Sequence, residues 1–165
     1  NKTNLNWSID LIDTGLNTMT GGRLKRLTKY IGNKTFMLTY GDGLSNINIK
    51  ELLKFHKSHG KLVTVTAVHP TARFGELEIL QNKVKSFKEK PQTKQGWVNG
   101  GFFIIDPKFL EFISGDDSIL ENDPLEYAAK IGELMAFKHE GFWKCMDNLR
   151  DKILLDQMYD EKKNL

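Results

Sequence analysis

The sequence predicts an α/β fold carrying a β-rich insert, on three observations. Residues 8–68 alternate strand, helix, strand, helix, strand, the order of parallel strands joined by crossover helices. After Val68 the pattern switches to short period-2 segments around Gln81-Asn82, as in a hairpin. The remaining strands, 97–106 and 134–139, are again separated by helical segments.

In order, Ser8–Asp13 (SIDLID) reads as a strand with alternating apolar Ile9 and Leu11. Thr14–Gly22 is a Gly- and Thr-rich loop. Arg23–Ile31 reads as a helix, with Leu24, Leu27 and Ile31 on one face. Thr35–Tyr40 is a short apolar run of the kind found in buried parallel strands. Ile49–His59 is amphipathic and stops at Gly60, a helix C-cap residue. Leu62–Val68 is β-branched and also reads as buried on both faces. Glu76–Leu80 and Lys83–Glu89 form the hairpin arms, with Asn82 suited to positive φ. Trp97–Asp106 is a strand interrupted by Gly100-Gly101, and Pro107 opens a short helix to Ile113. Asp123-Pro124-Leu125-Glu126 places an N-cap, a proline at the first position and a glutamate at the third for a helix ending at Gly132. Leu134–His139 is a strand. Phe142–Met146 is strand-like, and Asn148–Lys162 is a closing helix whose apolar side carries Leu149, Ile153, Leu154 and Met158.

With 39% hydrophobic and 27% charged residues, the 165-residue chain belongs with soluble globular domains, not disordered ones. No apolar run reaches the roughly 18 residues that span a bilayer. The sequence shows no signal peptide, and its lone Cys145 fits a reducing cytoplasm. A net charge of +3, from 24 basic residues interspersed with 21 acidic ones, argues against nucleic acid as a partner.

Five places could carry chemistry. Asp42, between two glycines at the end of a strand, is either a turn residue or an oxygen ligand for a hard cation. The loop 13–23 is either a plain helix entry capped by Thr20 or a phosphate site of backbone N–H groups with Arg23. Glu89-Lys90-Pro91 is either a solvated pair or two side chains presented at a strand end. The glycines of Asn99-Gly100-Gly101 mark either a bulge or a backbone that a sugar approaches. Asp147 caps the last helix or holds a metal. The four histidines are too scattered for zinc, with His56 and His59 reading as surface or core edge. No covalent nucleophile is evident.

The running order DTGLNTMTGGRLKR, LTYGDG, RFGELEI, FKEKP, NGGFFI, FWKCMDNLRDK resembles that of the nucleotidyltransferases that activate hexose 1-phosphates, and among them the glucose-1-phosphate cytidylyltransferases. The resemblance covers essentially the whole chain. It implies a Rossmann-like nucleotidyltransferase mixed sheet flanked by helices, with a sugar-binding β insert. It further implies transfer from CTP to glucose 1-phosphate, giving CDP-glucose and pyrophosphate, with dTTP, UTP or GTP as alternative donors and a non-catalytic sugar-nucleotide-binding domain as another. By resemblance, Asp42 and Asp147 hold Mg2+ and act in catalysis together with Lys90. Thr18, Arg23 and Gly41 contact the nucleotide or lie beside it. Glu89, Lys90, Asn99, Gly100 and Gly101 hold the hexose phosphate. It also implies a homo-oligomeric cytoplasmic enzyme supplying sugars for lipopolysaccharide O-antigen. The family's opening strand and Gly-Gly-x-Gly-x-Arg loop have no counterpart in this sequence. Residues 1–165 are therefore expected to be the C-terminal part of one nucleotidyltransferase domain, with the N-terminal strands missing and no CDP-glucose made by the chain alone.

Overall fold

The computed structural model describes residues 7–70, 76–88 and 96–161. Among these, a four-stranded mixed sheet forms the centre. It is built from β1 (Phe36–Thr39), β3 (Val63–Val68), β6 (Val98–Ile105) and β7 (Leu134–His139), in the order β1-β6-β3-β7. β6 runs antiparallel to β1 and β3, whereas β3 and β7 are parallel. The expected crossover order is present, since β1, β3 and β7 share one direction. β1, however, is an edge strand paired antiparallel to β6, with Met37 52% exposed, and is not the buried parallel strand that its apolar run suggested.

The pleat of β6 divides the core. Phe103 and Ile105 face one layer, with Leu24, Phe109, Leu110, Ile113, Leu120, Leu125 and Ala128. Ile104 faces the other, against Ile47 and Leu52. The first layer comes from α1 (Thr20–Arg26), α2 (Thr28–Ile31), a short 3-10 helix (Pro107–Phe112) and α4 (Asp123–Lys130). The second comes from α3 (Ile49–His59). Each fully buried Phe or Ile contributes about 1.5–3 kcal/mol. α3 has the expected bounds and its expected C-cap, Gly60, in the left-handed conformation at φ 64°; its N-terminus is capped by Asn48, which accepts from the N–H groups of Lys50 and Glu51.

Two further pairs complete the described residues. β4 (Glu76–Leu80) and β5 (Lys83–Lys88) form the expected hairpin, with Gln81 rather than Asn82 at positive φ, 54°. β2 (Gly43–Ser45) pairs antiparallel with β8 (Trp143–Cys145), immediately before α5 (Leu149–Asp160).

Several local expectations are corrected. Ser8–Asp13 is not a strand. No strand among the described residues runs beside it to complete a ladder, and Ile9 and Leu11 are exposed. The first helix starts at Thr20 rather than Arg23, because Gly21 and Gly22 pack as helical residues on the 116–118 loop. Asn122, not Asp123, sits at the cap of α4, and it makes no side-chain cap bond. α5 buries Leu155, while Leu149, Ile153 and Leu154 are exposed.

Candidate active site

β1 delivers the chain to Tyr40-Gly41-Asp42, and β2 begins at the next residue. The β2–β8 register opposes Gly43 to Cys145, and the Met146 N–H donates to the Asp42 carbonyl at 2.9 Å. Asp42 therefore lies opposite Met146 and beside Asp147, although the two aspartates are far apart in sequence. Both are exposed. The ribbon is held by the Ser45 hydroxyl donating to the Phe142 carbonyl (2.7 Å), and by the Trp143 indole N–H donating to the Gly100 carbonyl of β6 (2.8 Å).

Asp147 is not the cap of α5. Asn148 takes that role, its side chain accepting from the Asp151 N–H at 3.1 Å. The Asp147 carboxylate instead accepts from the Cys145 thiol at 3.0 Å. Burial, then the bond and charge of Asp147, then the charges of Asp42 and Asp151, push that thiol up to about 11. The thiol is thus held in its protonated form, and the charges of both carboxylates act on it. Among the described residues neither Asp42 nor Asp147 is paired with a lysine or arginine, whereas nearby Asp151 is paired with Lys144 at 3.5 Å. No group of three or more His, Cys, Asp or Glu side chains disposed to hold a metal occurs among the described residues. A cation here would have the two aspartates as its protein ligands.

Asn99 lies near the start of β6. Its Nδ2 donates to the Tyr40 hydroxyl (3.1 Å) and its Oδ1 accepts from the Gly101 N–H (2.8 Å). Tyr40 O–H donates to the Glu121 carboxylate, whose second oxygen accepts from Thr20 Oγ1 at 2.8 Å. Burial, then the bond to Glu121, raises the Tyr40 hydroxyl well above the usual phenol range. The adjoining glycines have protein neighbours. A Cβ on Gly100 would sit 2.8 Å from Val68 Cγ1, and one on Gly101, at φ 77°, would sit 2.7 Å from the Tyr40 ring. Their room is taken by Val68 and Tyr40, and the β3–β6 register shifts between Val65 and Ala67, so the two glycines lie at a bulge. Sequence reasoning missed Tyr40 and Glu121. Tyr40 had a signal in its place just before Gly41-Asp42, and Glu121 had none.

The helix end of the glycine-rich loop packs on the 116–118 segment. The Met19 N–H donates to the Asp116 carbonyl, and those of Gly21 and Gly22 donate to the Ser118 carbonyl, so the start of α1 is already bonded to the 116–118 loop. A Cβ on Gly22 would lie 2.4 Å from the Asp116 oxygen. Thr18 is buried. Arg23 donates to Thr14 Oγ1 (2.8 Å) and to the Leu16 carbonyl (3.1 Å). Thr20 is the first helical residue, not the cap. Gly41 is exposed, with open space around it. Glu89 and Lys90 lie outside the described residues, as do Arg73, Phe74 and Gly75 of the RFGELEI motif. A groove of about 500 Å³, lined by Lys25, Thr28, Asp106, Lys108 and Glu111 among others, lies at the opposite end of β6 from Asn99.

The family described as nucleotidyl transferase matches residues 15–146. The glucose-1-phosphate cytidylyltransferase of Salmonella typhimurium is 46% identical over 158 residues, covering 95% of this chain and 62% of that protein. The chain thus spans about three fifths of the length of such relatives. A mannose-1-phosphate guanyltransferase of Aspergillus oryzae is 30% identical over 80% of this chain and 38% of its own length. Among solved structures, HddC from Yersinia pseudotuberculosis superposes with a TM-score of 0.69 at 23% identity, covering 96% of this chain and 70% of its own. A UDP-glucose pyrophosphorylase complexed with UDP-glucose gives 0.67 at 18% identity, covering 92% and 66%. These two structures share the fold.

Proposed function

The chain belongs to the nucleotidyl transferase family, and from that premise we propose that the protein carrying it joins CTP and glucose 1-phosphate into CDP-glucose, releasing pyrophosphate. The observation that supports the reading is the β2–β8 pairing, which brings exposed Asp42 opposite Met146, the residue before exposed Asp147. The choice of CTP and glucose rests on the 46% identity to the Salmonella protein.

In this reaction a phosphate oxygen of the sugar phosphate attacks the α-phosphorus of the triphosphate. A new P–O bond forms as the bond to the departing pyrophosphate breaks. The attacking oxygen is already anionic, so no general base is needed. Positioning and relief of anion–anion repulsion are what the site supplies. Asp42 and Asp147 fit a hard divalent cation, because both are exposed oxygen donors without a competing cationic side chain among the described residues. Magnesium is the ion proposed; bound there, it would neutralise phosphate charge as the reaction proceeds. Arg23 uses two of its five donors to shape the 14–16 loop, leaving others for a phosphate, with Thr18 and Gly41 framing the nucleotide side. Asn99 meets a sugar hydroxyl. Glu89 and Lys90 are proposed to hold the rest of the sugar phosphate.

The test is pyrophosphate release by the protein containing this chain, with CTP, dTTP, UTP and GTP in turn, glucose 1-phosphate and magnesium. CTP should be the preferred donor. Asp42→Asn and Asp147→Asn should each lower kcat by at least about 100-fold with little change in stability. Full turnover by either variant, or a stronger preference for another triphosphate, would overturn the reading.

A further inference from the structure

Resting on the reading of Asn99 as a hexose contact, we propose that Tyr40 and Glu121 are positioning residues that fix the Asn99 amide so that it meets the sugar with an N–H donor. An asparagine amide can present either end to a ligand, and rotation by half a turn exchanges donor for acceptor. Two independent partners remove that freedom. The Gly101 N–H can only donate, so it selects Oδ1. The Tyr40 hydroxyl has one proton and gives it to Glu121, so the oxygen it turns to Asn99 can only accept, and it selects Nδ2. Both choices demand the same rotamer. One Nδ2 N–H remains unspent on an exposed side chain, matched to a hydroxyl oxygen.

Glu121 is itself fixed. Its other oxygen accepts from Thr20, whose hydroxyl oxygen accepts from the Leu120 N–H at 2.9 Å. The Tyr40 ring is seated by the missing side chain of Gly101 and by an edge contact with Phe103, with centroids 5.7 Å apart. The relay therefore runs from the first residue of α1, through the residue two before Asp42, to Asn99. It would let one side chain discriminate hexoses: an epimer that puts C–H where the hydroxyl should be leaves the fixed N–H unpaired, because the amide cannot turn to suit it.

The test uses the protein containing this chain and the variants Y40F, N99A and Y40F/N99A. Y40F keeps the ring and removes only the hydroxyl. It should raise KM for glucose 1-phosphate about tenfold, with kcat changed by no more than about twofold. In the N99A background Y40F should add nothing further, since its effect passes through Asn99. E121A should reproduce Y40F, whereas E121Q, which keeps an acceptor for the hydroxyl, should restore most of the affinity. Additive losses in the double variant, or equal falls in kcat and kcat/KM, overturn the proposal. A second readout needs no turnover: hydrogen exchange of the Asn99 side-chain amide should quicken in Y40F, and an unchanged amide also overturns it. Absence of turnover by the unsubstituted protein with CTP and glucose 1-phosphate would instead sink the functional reading, and the amide measurement would still decide whether Tyr40 fixes Asn99.

Discussion

Strands β3 and β6 form an antiparallel pair, and so do β2 and β8, yet the two pairs are held in different ways. Val63, Phe103, Ile104 and Ile105 are almost wholly inaccessible, with helices on both faces of the pair. The β2–β8 ribbon has three residues a side, and Leu44 is 45% exposed. It is pinned by the Ser45–Phe142, Trp143–Gly100 and Met146–Asp42 bonds rather than by a core. The difference separates two tasks. The sheet draws its stability from apolar burial, and the ribbon uses a few directed bonds to hold Asp42 opposite Met146, the residue before Asp147.

Substitutions should divide along that line. Phe103→Ala removes a side chain 1% exposed between β6 and the first helix layer, and should cost about 3–5 kcal/mol in urea or thermal melts. A loss below about 1 kcal/mol would mean that the sheet is not the store of stability. Gly22→Ala puts a Cβ 2.4 Å from the Asp116 oxygen, so the backbone must move, at about 1–3 kcal/mol in the same melts. Trp143→Phe deletes the indole N–H that ties β8 to Gly100. It should cost only about 1 kcal/mol while lowering kcat more than tenfold if, as proposed, the ribbon aligns Asp42 with Asp147. Equal effects on stability and turnover would erase the contrast between the two pairs.

The smallest effect sharpens the core side. The buried His56 Nδ1 lies 2.9 Å from Thr64 Oγ1, and His59 Nε2 lies 2.7 Å from the same oxygen. Burial, then the neighbouring His59, holds His56 below the ordinary imidazole range; burial, then Lys61, does the same for His59. Both are thus neutral in the fold, while the unfolded chain takes up protons near pH 6.5. Stability from these groups is complete above about pH 6.5 and is lost as pH falls from there toward their lower native values. Urea midpoints at pH 7.5 and 5.5 should show the loss, and His56→Gln should reduce it.

Much of the fold was legible because it is written locally. α3 was readable to the residue from its periodicity and Gly60, β7 from its apolar run, and the β4–β5 hairpin from its alternation. Strand direction is not local. Nothing in TFMLTY says that its neighbour is β6, some sixty residues on, running the other way. The same limit applied to the site. Asp42 and Asp147 could be named as candidates, but their adjacency is a product of strand pairing. Capping was misjudged where adjacent residues compete: Asn148 and Asp147 are equally good capping types, and geometry gave the bond to the asparagine, whereas α4 starts one residue earlier than its Asp123 suggested, at an Asn122 that makes no side-chain cap bond. The start of α1 was hidden by its glycines, which are poor helix formers retained here because the 116–118 backbone lies against them.

The span of the β2–β8 pairing also sets when the site can exist. Closing residues 43 onto 145 costs chain entropy that grows with the loop enclosed, and three residues a side return little of it. Most of the sheet lies between these residues in the sequence, and once folded it shortens the effective loop and supplies Gly100 as an anchor for Trp143. The β2–β8 pairing should therefore form late in folding and open early in the native ensemble, with amides of β8 exchanging with solvent well before those of β3. Catalytic competence would then be gained and lost as its own small step, separate from the cooperative transition of the domain.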